Sequence, residues 1–156
     1  MPTPTATPTA RPSGAVTHEL ERLLADTYAL YVKTQGYHWN VVGPEFRSLH
    51  LMFEEQYTEL AMAVDVIAER IRALGAIAPG SLQGLAHRAA VDDEDGAPAA
   101  PDMVLRLIAA HETVIRTARS VLRLAEEAAD PTTVDLVTER LAVHEKTLWM
   151  LRATAA

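Results

Sequence analysis

From Leu20 onward the apolar residues of this chain recur every three or four positions. Leu20, Leu23, Leu24, Thr27, Leu30 and Tyr31 form one such stripe, the spacing that gathers side chains on one face of a helix. It predicts a first helix from near Thr17, whose hydroxyl can cap it, to just before the breaker pair Gly43-Pro44. A second helical pattern runs from about Glu45 to Gly75, roughly 46 Å long at ~1.5 Å per residue, with glycine as its C-terminal stop. Residues Ala76 to Pro101 are then broken by Pro79-Gly80, Gly84, Gly96 and Pro98, with room for a helical turn or two around Leu82 to Arg88. Two further helices are expected over Pro101 to Ala129 and Pro131 to Arg152, the last one capped by Asp130 with Pro131 in its first turn. So long a connection is unusual inside a compact domain, but a four-helix bundle with parallel middle helices requires one. The expected fold class is therefore all-α: a bundle over residues 17–152 with a short C-terminal tail at 153–156. The first 16 residues, mostly Pro, Thr and Ala with Arg11 the one charge before His18, are too poor in bulky apolar groups to offset their ordering entropy and read as a flexible tail.

Composition narrows the chemistry. The chain of 156 residues is 49% apolar but only 5% aromatic, a mix that favours helix packing over a sheet. It has no cysteine, which excludes disulfides, thiolate metal sites and a thiol nucleophile. The net charge is −7, and the only lysines are Lys33 and Lys146. That balance disfavours counterion-driven binding to DNA and suits a surface that attracts cations. No apolar run approaches the ~18 residues of a membrane span, and the first residues lack the charged-then-apolar order of a signal peptide. No membrane association and a cytoplasmic location are expected.

The second helix carries the candidate chemistry. His50 and Glu54 lie four residues apart, as do Asp65 and Glu69, and at ~100° per residue all four fall within a sector of roughly 100°. Along the axis the two pairs are separated by roughly 22 Å, so no single ion can reach both. Two copies of the helix packed antiparallel would bring the first pair of one chain against the second pair of the other. Such a symmetric dimer would hold two shared sites. Imidazole with carboxylate suits iron, since carboxylate oxygens hold the ferric state and imidazole is acceptable to the ferrous one. Spacing alone leaves plainer readings open. His50 could be an ordinary solvated histidine, Glu54 could belong to a charged face with Glu55 and Glu59, and Glu69 could pair with Arg70 or Arg72. Asp65 stands out, because it is embedded in Ala61-Met62-Ala63-Val64 and Val66-Ile67-Ala68, where a buried carboxylate would be costly. The acidic run Asp92 to Asp95 fits no calcium loop and reads as a solvated turn. His18, His87, His111 and His144 have no distinguishing acid partner nearby in the sequence.

Several motifs together resemble the Dps family, small ferritins that protect DNA in starved bacteria. These are His38-Trp39-Asn40-Val41-x-Gly43, Phe46-x-x-Leu49-His50-x-x-Phe53-Glu54, Asp65-x-x-Ala68-Glu69-Arg70, Leu74-Gly75 and the closing His144-Glu145-Lys146-Thr147-Leu148-Trp149-Met150. The resemblance covers about Thr17 to Arg152. It implies a ferritin-like bundle assembled, through two-fold dimers, into a hollow homo-dodecamer with ferroxidase centres between two-fold partners. It places His38, His50 and Glu54 on one subunit, and the partner subunit's Asp65 and Glu69 opposite them. Many family members carry Asp where this chain has Glu54. The longer side chain keeps the carboxylate but changes how it reaches a metal. The implied activity is oxidation of Fe(II), preferably by hydrogen peroxide, with ferric mineral stored inside the shell. Trp39 is implied as an absorber of stray oxidising equivalents, alongside a plain packing role. Trp149 reads as packing alone. Acidic entry pores near the last helix point to Asp130 and Asp135, although Asp130 is also the natural cap for that helix.

The alternative reading is a non-catalytic nucleoid shell that shields DNA physically; another is a cage with a degraded centre. Tails rich in lysine or arginine usually mediate DNA condensation in the family. Here the first residues offer only Arg11, and nothing basic follows Arg152. DNA binding is expected to be weak or absent at physiological salt. A gel shift that persists at moderate salt and disappears on removal of residues 1–14 would contradict this.

Overall fold

In a computed structural model, which describes residues 14–156, the chain forms five helices in the order α1 (Gly14–Asn40), α2 (Phe46–Ala73), α3 (Leu82–Arg88), α4 (Ala100–Glu127) and α5 (Pro131–Ala155). The first 13 residues, and with them most of the expected tail, lie outside the described residues. Helix α1 begins three residues before the expected start. The Thr17 hydroxyl therefore donates to the Gly14 carbonyl inside the first turn and does not cap. At the other end α5 continues through Ala153–Ala155, where the sequence leads one to expect a short tail. Alanine is the best helix former, so nothing in those residues stops the helix. The crossover helix α3 occupies Leu82–Arg88, capped by the Ser81 hydroxyl accepting from the Gly84 amide. Among the described residues no helix is long and apolar enough to cross a membrane.

Short turns join α1 to α2 and α4 to α5, so each pair packs as an antiparallel hairpin, and α1 also lies against α4 and α3. The seam that holds them is continuous. Leu20, Leu23, Leu24 and Leu30 of α1 are buried with Phe53, Leu60 and Ile67 of α2, Leu107, Val114 and Val121 of α4, and Val137 and Leu151 of α5. Tyr31, expected in the stripe, is only half-buried. One charge is fully enclosed in this seam. The Asp26 carboxylate accepts hydrogen bonds from the backbone amides of Ala90 and Val91 and from the Thr117 hydroxyl. It thereby ties the crossover, just past α3, to α1 and α4 at one point. The acidic run that follows is less solvated than expected, because Glu94 forms ion pairs with Lys33 and Arg106.

A second polar group crosses the core. His111 of α4 and His144 of α5 approach Nδ1 to Nδ1 at 3.0 Å, both buried, and Arg140, itself paired with Glu59, lies 3.2 Å from His144 Nε2. Arginine can only donate, which makes His144 Nε2 an acceptor and puts its proton on Nδ1. That proton points at His111 Nδ1, which must accept, leaving the His111 proton on Nε2. Burial holds the His111 pKa down, with help from Arg140, at about 3. Burial, then His111 and Arg140, hold His144 well below its ordinary value.

Both α2 and α4 close with a left-handed residue that lets the next amides reach back over the last turn. After α2 this is Gly75 (φ 91°), with the Gly75 and Ala76 amides donating to the Arg72 and Ile71 carbonyls. After α4 the same bonds form, but the left-handed residue is Ala129 (φ 52°), whose Cβ makes that conformation costly by about 1 kcal/mol. Ala129→Gly is expected to stabilise the fold by about 1 kcal/mol, read as a higher urea midpoint at unchanged slope.

The buried imidazoles set a pH dependence. Unfolded histidines take up protons near the ordinary value of 6.5, whereas folded His111 does so only near 3. Between those values the unfolded chain binds more protons, so stability falls as pH falls. The expected slope is up to ~1.4 kcal/mol per pH unit for each ring. Urea unfolding at pH 7 and pH 5 should show the loss, and His144→Gln should shrink it. An equal slope in that variant would refute the assignment.

Candidate metal centre

The turn between α1 and α2 brings the last turn of one helix against the first turn of the next. Gly43 provides its tight bend at φ 114°, a value that favours glycine. Across this turn His38 and His50 stack with ring centroids 3.8 Å apart and planes 14° from parallel. They also exchange backbone hydrogen bonds. His38 Nδ1 lies 2.7 Å from the His50 carbonyl, and His50 Nδ1 lies 2.7 Å from the His38 carbonyl. A carbonyl only accepts, so both Nδ1 atoms carry hydrogen, and in the neutral rings both Nε2 atoms keep a free lone pair. This is the arrangement in which a protein presents imidazole to a metal: one nitrogen anchored, the other free to ligate. Phe46 stacks on His50 at 5.0 Å, and the Tyr57 ring meets His38 edge-on at 5.0 Å. His38 is 8% exposed and His50 half-buried, so the pair sits at the rim of the bundle.

The acids follow along α2. Glu54, Asp65 and Glu69 are all exposed, and none of them takes part in an ion pair among the described residues. The plainer reading of Glu69 as a partner of neighbouring arginines does not hold, because Arg70 turns instead to Asp130 and Arg72 to the Ala76 carbonyl. Asp65 is exposed as well. Its apolar neighbours do not bury it within the chain, because Ala63 and Ile67 face the core while Asp65 faces outward with Met62 and Val66. Leu51, Met62 and Val66 are large apolar side chains left exposed on the same helix, Leu51 just before Glu54 and the other two between Glu54 and Glu69. Such a patch, apolar and acidic by turns, marks a contact surface. Trp39, at the end of α1, is 66% exposed, and Trp149, expected to pack, is 65% exposed on α5. Among the described residues no three His, Asp or Glu side chains converge within one chain. The structure thus brings His38 and His50 together but leaves Asp65 and Glu69 farther along the same helix.

The two acids assigned to a pore differ. Asp130 accepts from the Thr133 amide and hydroxyl and pairs with Arg70 at 2.8 Å. Burial alone would raise its pKa, but the Thr133 hydrogen bonds and the Arg70 guanidinium outweigh burial and hold it below the ordinary value. Its oxygens are thus committed to capping α5 and docking α2. Asp135 remains exposed.

Residues 17–156 match the family model of the ferritin-like domain. The chain is 45% identical over 136 residues to a low temperature-induced protein of Nostoc sp., covering 86% of this chain and 76% of that one. It is 34% identical to the DNA protection during starvation protein of Brevibacillus brevis, covering 86% of this chain and 90% of the relative. Among solved structures, Dps from Thermosynechococcus elongatus superposes with a TM-score of 0.90 at 32% identity over 96% of both chains. Dps from Vibrio cholerae O1, described as a ferritin-like diiron-carboxylate protein, gives 0.90 at 31% identity over 99% and 100% of the two chains. The fold is that of the ferritin-like proteins, and within it the chain belongs to the Dps family.

Proposed function

We propose that this protein is a Dps-type ferroxidase and iron store that consumes Fe(II) and hydrogen peroxide together. The observation that carries the reading is the His38–His50 lock, which presents two imidazole Nε2 atoms on a helix face holding three unpaired carboxylates. Such a face cannot complete a site alone, because one helix spreads its ligands over roughly 22 Å. Antiparallel contact of two α2 helices resolves this. His38, His50 and Glu54 then meet the partner subunit's Asp65 and Glu69, and Leu51, Met62 and Val66 are covered. The full assembly is a homo-dodecamer working in the cytoplasm.

Iron enters as substrate. The mixed imidazole and carboxylate set accepts Fe(II) and, through its oxygens, favours Fe(III) once formed. Two ferrous ions each give one electron to hydrogen peroxide, which takes up two protons and leaves as two waters. Holding both ions at one centre lets peroxide accept both electrons without releasing hydroxyl radical. Asp135 serves as an acid that draws cations toward the shell. Asp130 positions the start of its helix beside it.

The Brevibacillus brevis relative is named for DNA protection, and the rival reading is a shell that shields DNA without oxidising iron. Anaerobic loading with Fe(II), followed by peroxide and ferric absorbance, separates the two. Oxidation near two irons per peroxide supports the ferroxidase, and oxidation no faster than in buffer overturns it. Asp65→Ala should abolish the fast phase without lowering the urea midpoint of the subunit, since this exposed carboxylate joins no ion pair among the described residues. Shells mixed from His50→Ala and Asp65→Ala subunits should recover part of the rate, because some interfaces receive two intact halves. No recovery at any ratio would count against a shared site.

A further inference from the structure

Aromatic side chains are scarce in this molecule, yet they are not scattered. Its four tyrosines are Tyr28, Tyr31, Tyr37 and Tyr57. Three of them stand in line with the histidine pair. The Tyr57 ring lies edge-on to His38 at 5.0 Å, Tyr31 lies edge-on to Tyr57 at 6.1 Å, and Tyr28 follows Tyr31 at 5.8 Å. Each step is a ring contact within the distance at which aromatic pairs touch. The line begins at the metal-facing imidazoles, crosses from α2 to α1, and runs back along α1 away from the turn. Tyr28 at its far end lines a hollow of about 280 Å³ between α1 and α3, bounded also by Ala25, Leu82, Leu85 and Val91. All three rings are half-buried, so their phenol protons can exchange with water. Trp39, the ring that the sequence offers as an oxidant sink, faces outward and makes none of these ring contacts. Tyr37 packs on Phe53 and stands outside the line.

We propose that Tyr57, Tyr31 and Tyr28 form a relay that carries one-electron oxidising equivalents away from the metal centre to the α1–α3 hollow, where a small soluble reductant quenches them. The proposal rests on the ferroxidase reading for the origin of the oxidant. When peroxide meets a centre holding a single Fe(II), it takes one electron and splits into hydroxide and hydroxyl radical. That radical takes an electron and a proton from the Tyr57 phenol and becomes water, leaving a phenoxyl radical. Tyr31 then reduces Tyr57 and is oxidised in its place, one phenol proton being released and one taken up. Tyr28 repeats the step. A thiol of the medium finally returns a hydrogen atom to Tyr28 and leaves as a thiyl radical. The relay thus covers the case that the two-electron reaction does not, a centre caught half-loaded.

The test combines two measurements on the full-length assembled protein. In the first, shells loaded with less than one Fe(II) per centre are mixed with peroxide in the presence of a nitroso spin trap. The labelled residue is located by peptide mapping, and ferric absorbance is recorded in the same mixture. Tyr28 should carry most of the label. Tyr31→Phe should shift it to Tyr57, and Tyr57→Phe should strip it from both α1 rings and raise hydroxyl radical escaping to solution. Tyr37 should stay unlabelled throughout, as an internal control. Label spread over all four tyrosines, or unmoved by Tyr31→Phe, overturns the relay. The second measurement needs no iron. A ruthenium polypyridyl photo-oxidant is attached through a cysteine introduced by Trp39→Cys, the exposed position next to His38, in a chain that has no other cysteine. Flash oxidation should then produce phenoxyl absorbance that Tyr57→Phe abolishes. A relay that works by light in protein that fails to oxidise iron would leave the tyrosine line standing and sink only the ferroxidase reading. Phenoxyl absorbance surviving in Tyr57→Phe would sink the relay itself.

Discussion

Burial of the leucine seam of α1 is the contact on which the other features lean. Leu20, Leu23, Leu24 and Leu30 are buried, and α1 packs against α2, α4 and α3, so α1 is the element that the rest of the bundle is built around. Removing such side chains from water is worth about 2 kcal/mol each, enough to carry a buried carboxylate in the same stripe. Asp26 uses that margin to fix the crossover. The same rigid rod then delivers His38 to the first turn of α2, where the short Gly43 bend leaves the imidazole no choice of neighbour.

Preorganisation follows from this delivery. Two stacked rings, each holding the other's backbone carbonyl, have their orientation and their tautomer set before any ion arrives. Mutual anchoring of this kind needs no outside carboxylate to orient the imidazoles, so the acids of α2 stay unneutralised and face outward. The electrostatic cost of three unpaired carboxylates on one face is modest while they are solvated. It grows once two such faces meet, and a bound cation is what relieves it.

Much of this could be read from the chain. The three-four spacing placed all four long helices to within a few residues, Asp130-Pro131 marked the start of α5, and the i, i+4 spacing on α2 singled out Glu54, Asp65 and Glu69, which the structure leaves exposed and outside its ion pairs. What escaped was long-range. Asp26 looks like a polar interruption in a leucine stripe until the amides of Ala90 and Val91 arrive from far along the chain. His111 and His144 are separated by a whole helical hairpin, and no local pattern joins them. Asp65 misled for the opposite reason: its neighbours are apolar on both sides, but a helix turns each of them to a different face, so composition around a residue does not report its burial. Helix ends were misplaced where alanine runs on without a breaker, as at Ala153–Ala155.

The exposed apolar side chains are not confined to α2. Val42, Ile77, Leu82, Leu105 and Trp149 also face outward, spread over the connections and over α4 and α5. A lone subunit therefore meets water with greasy ground on several sides at once, and it is in that state an unfinished object. Where copies assemble over that ground, association is linked to the folding of each subunit. Dilution then acts as a denaturant in its own right, and a melting temperature measured at one concentration describes that concentration alone.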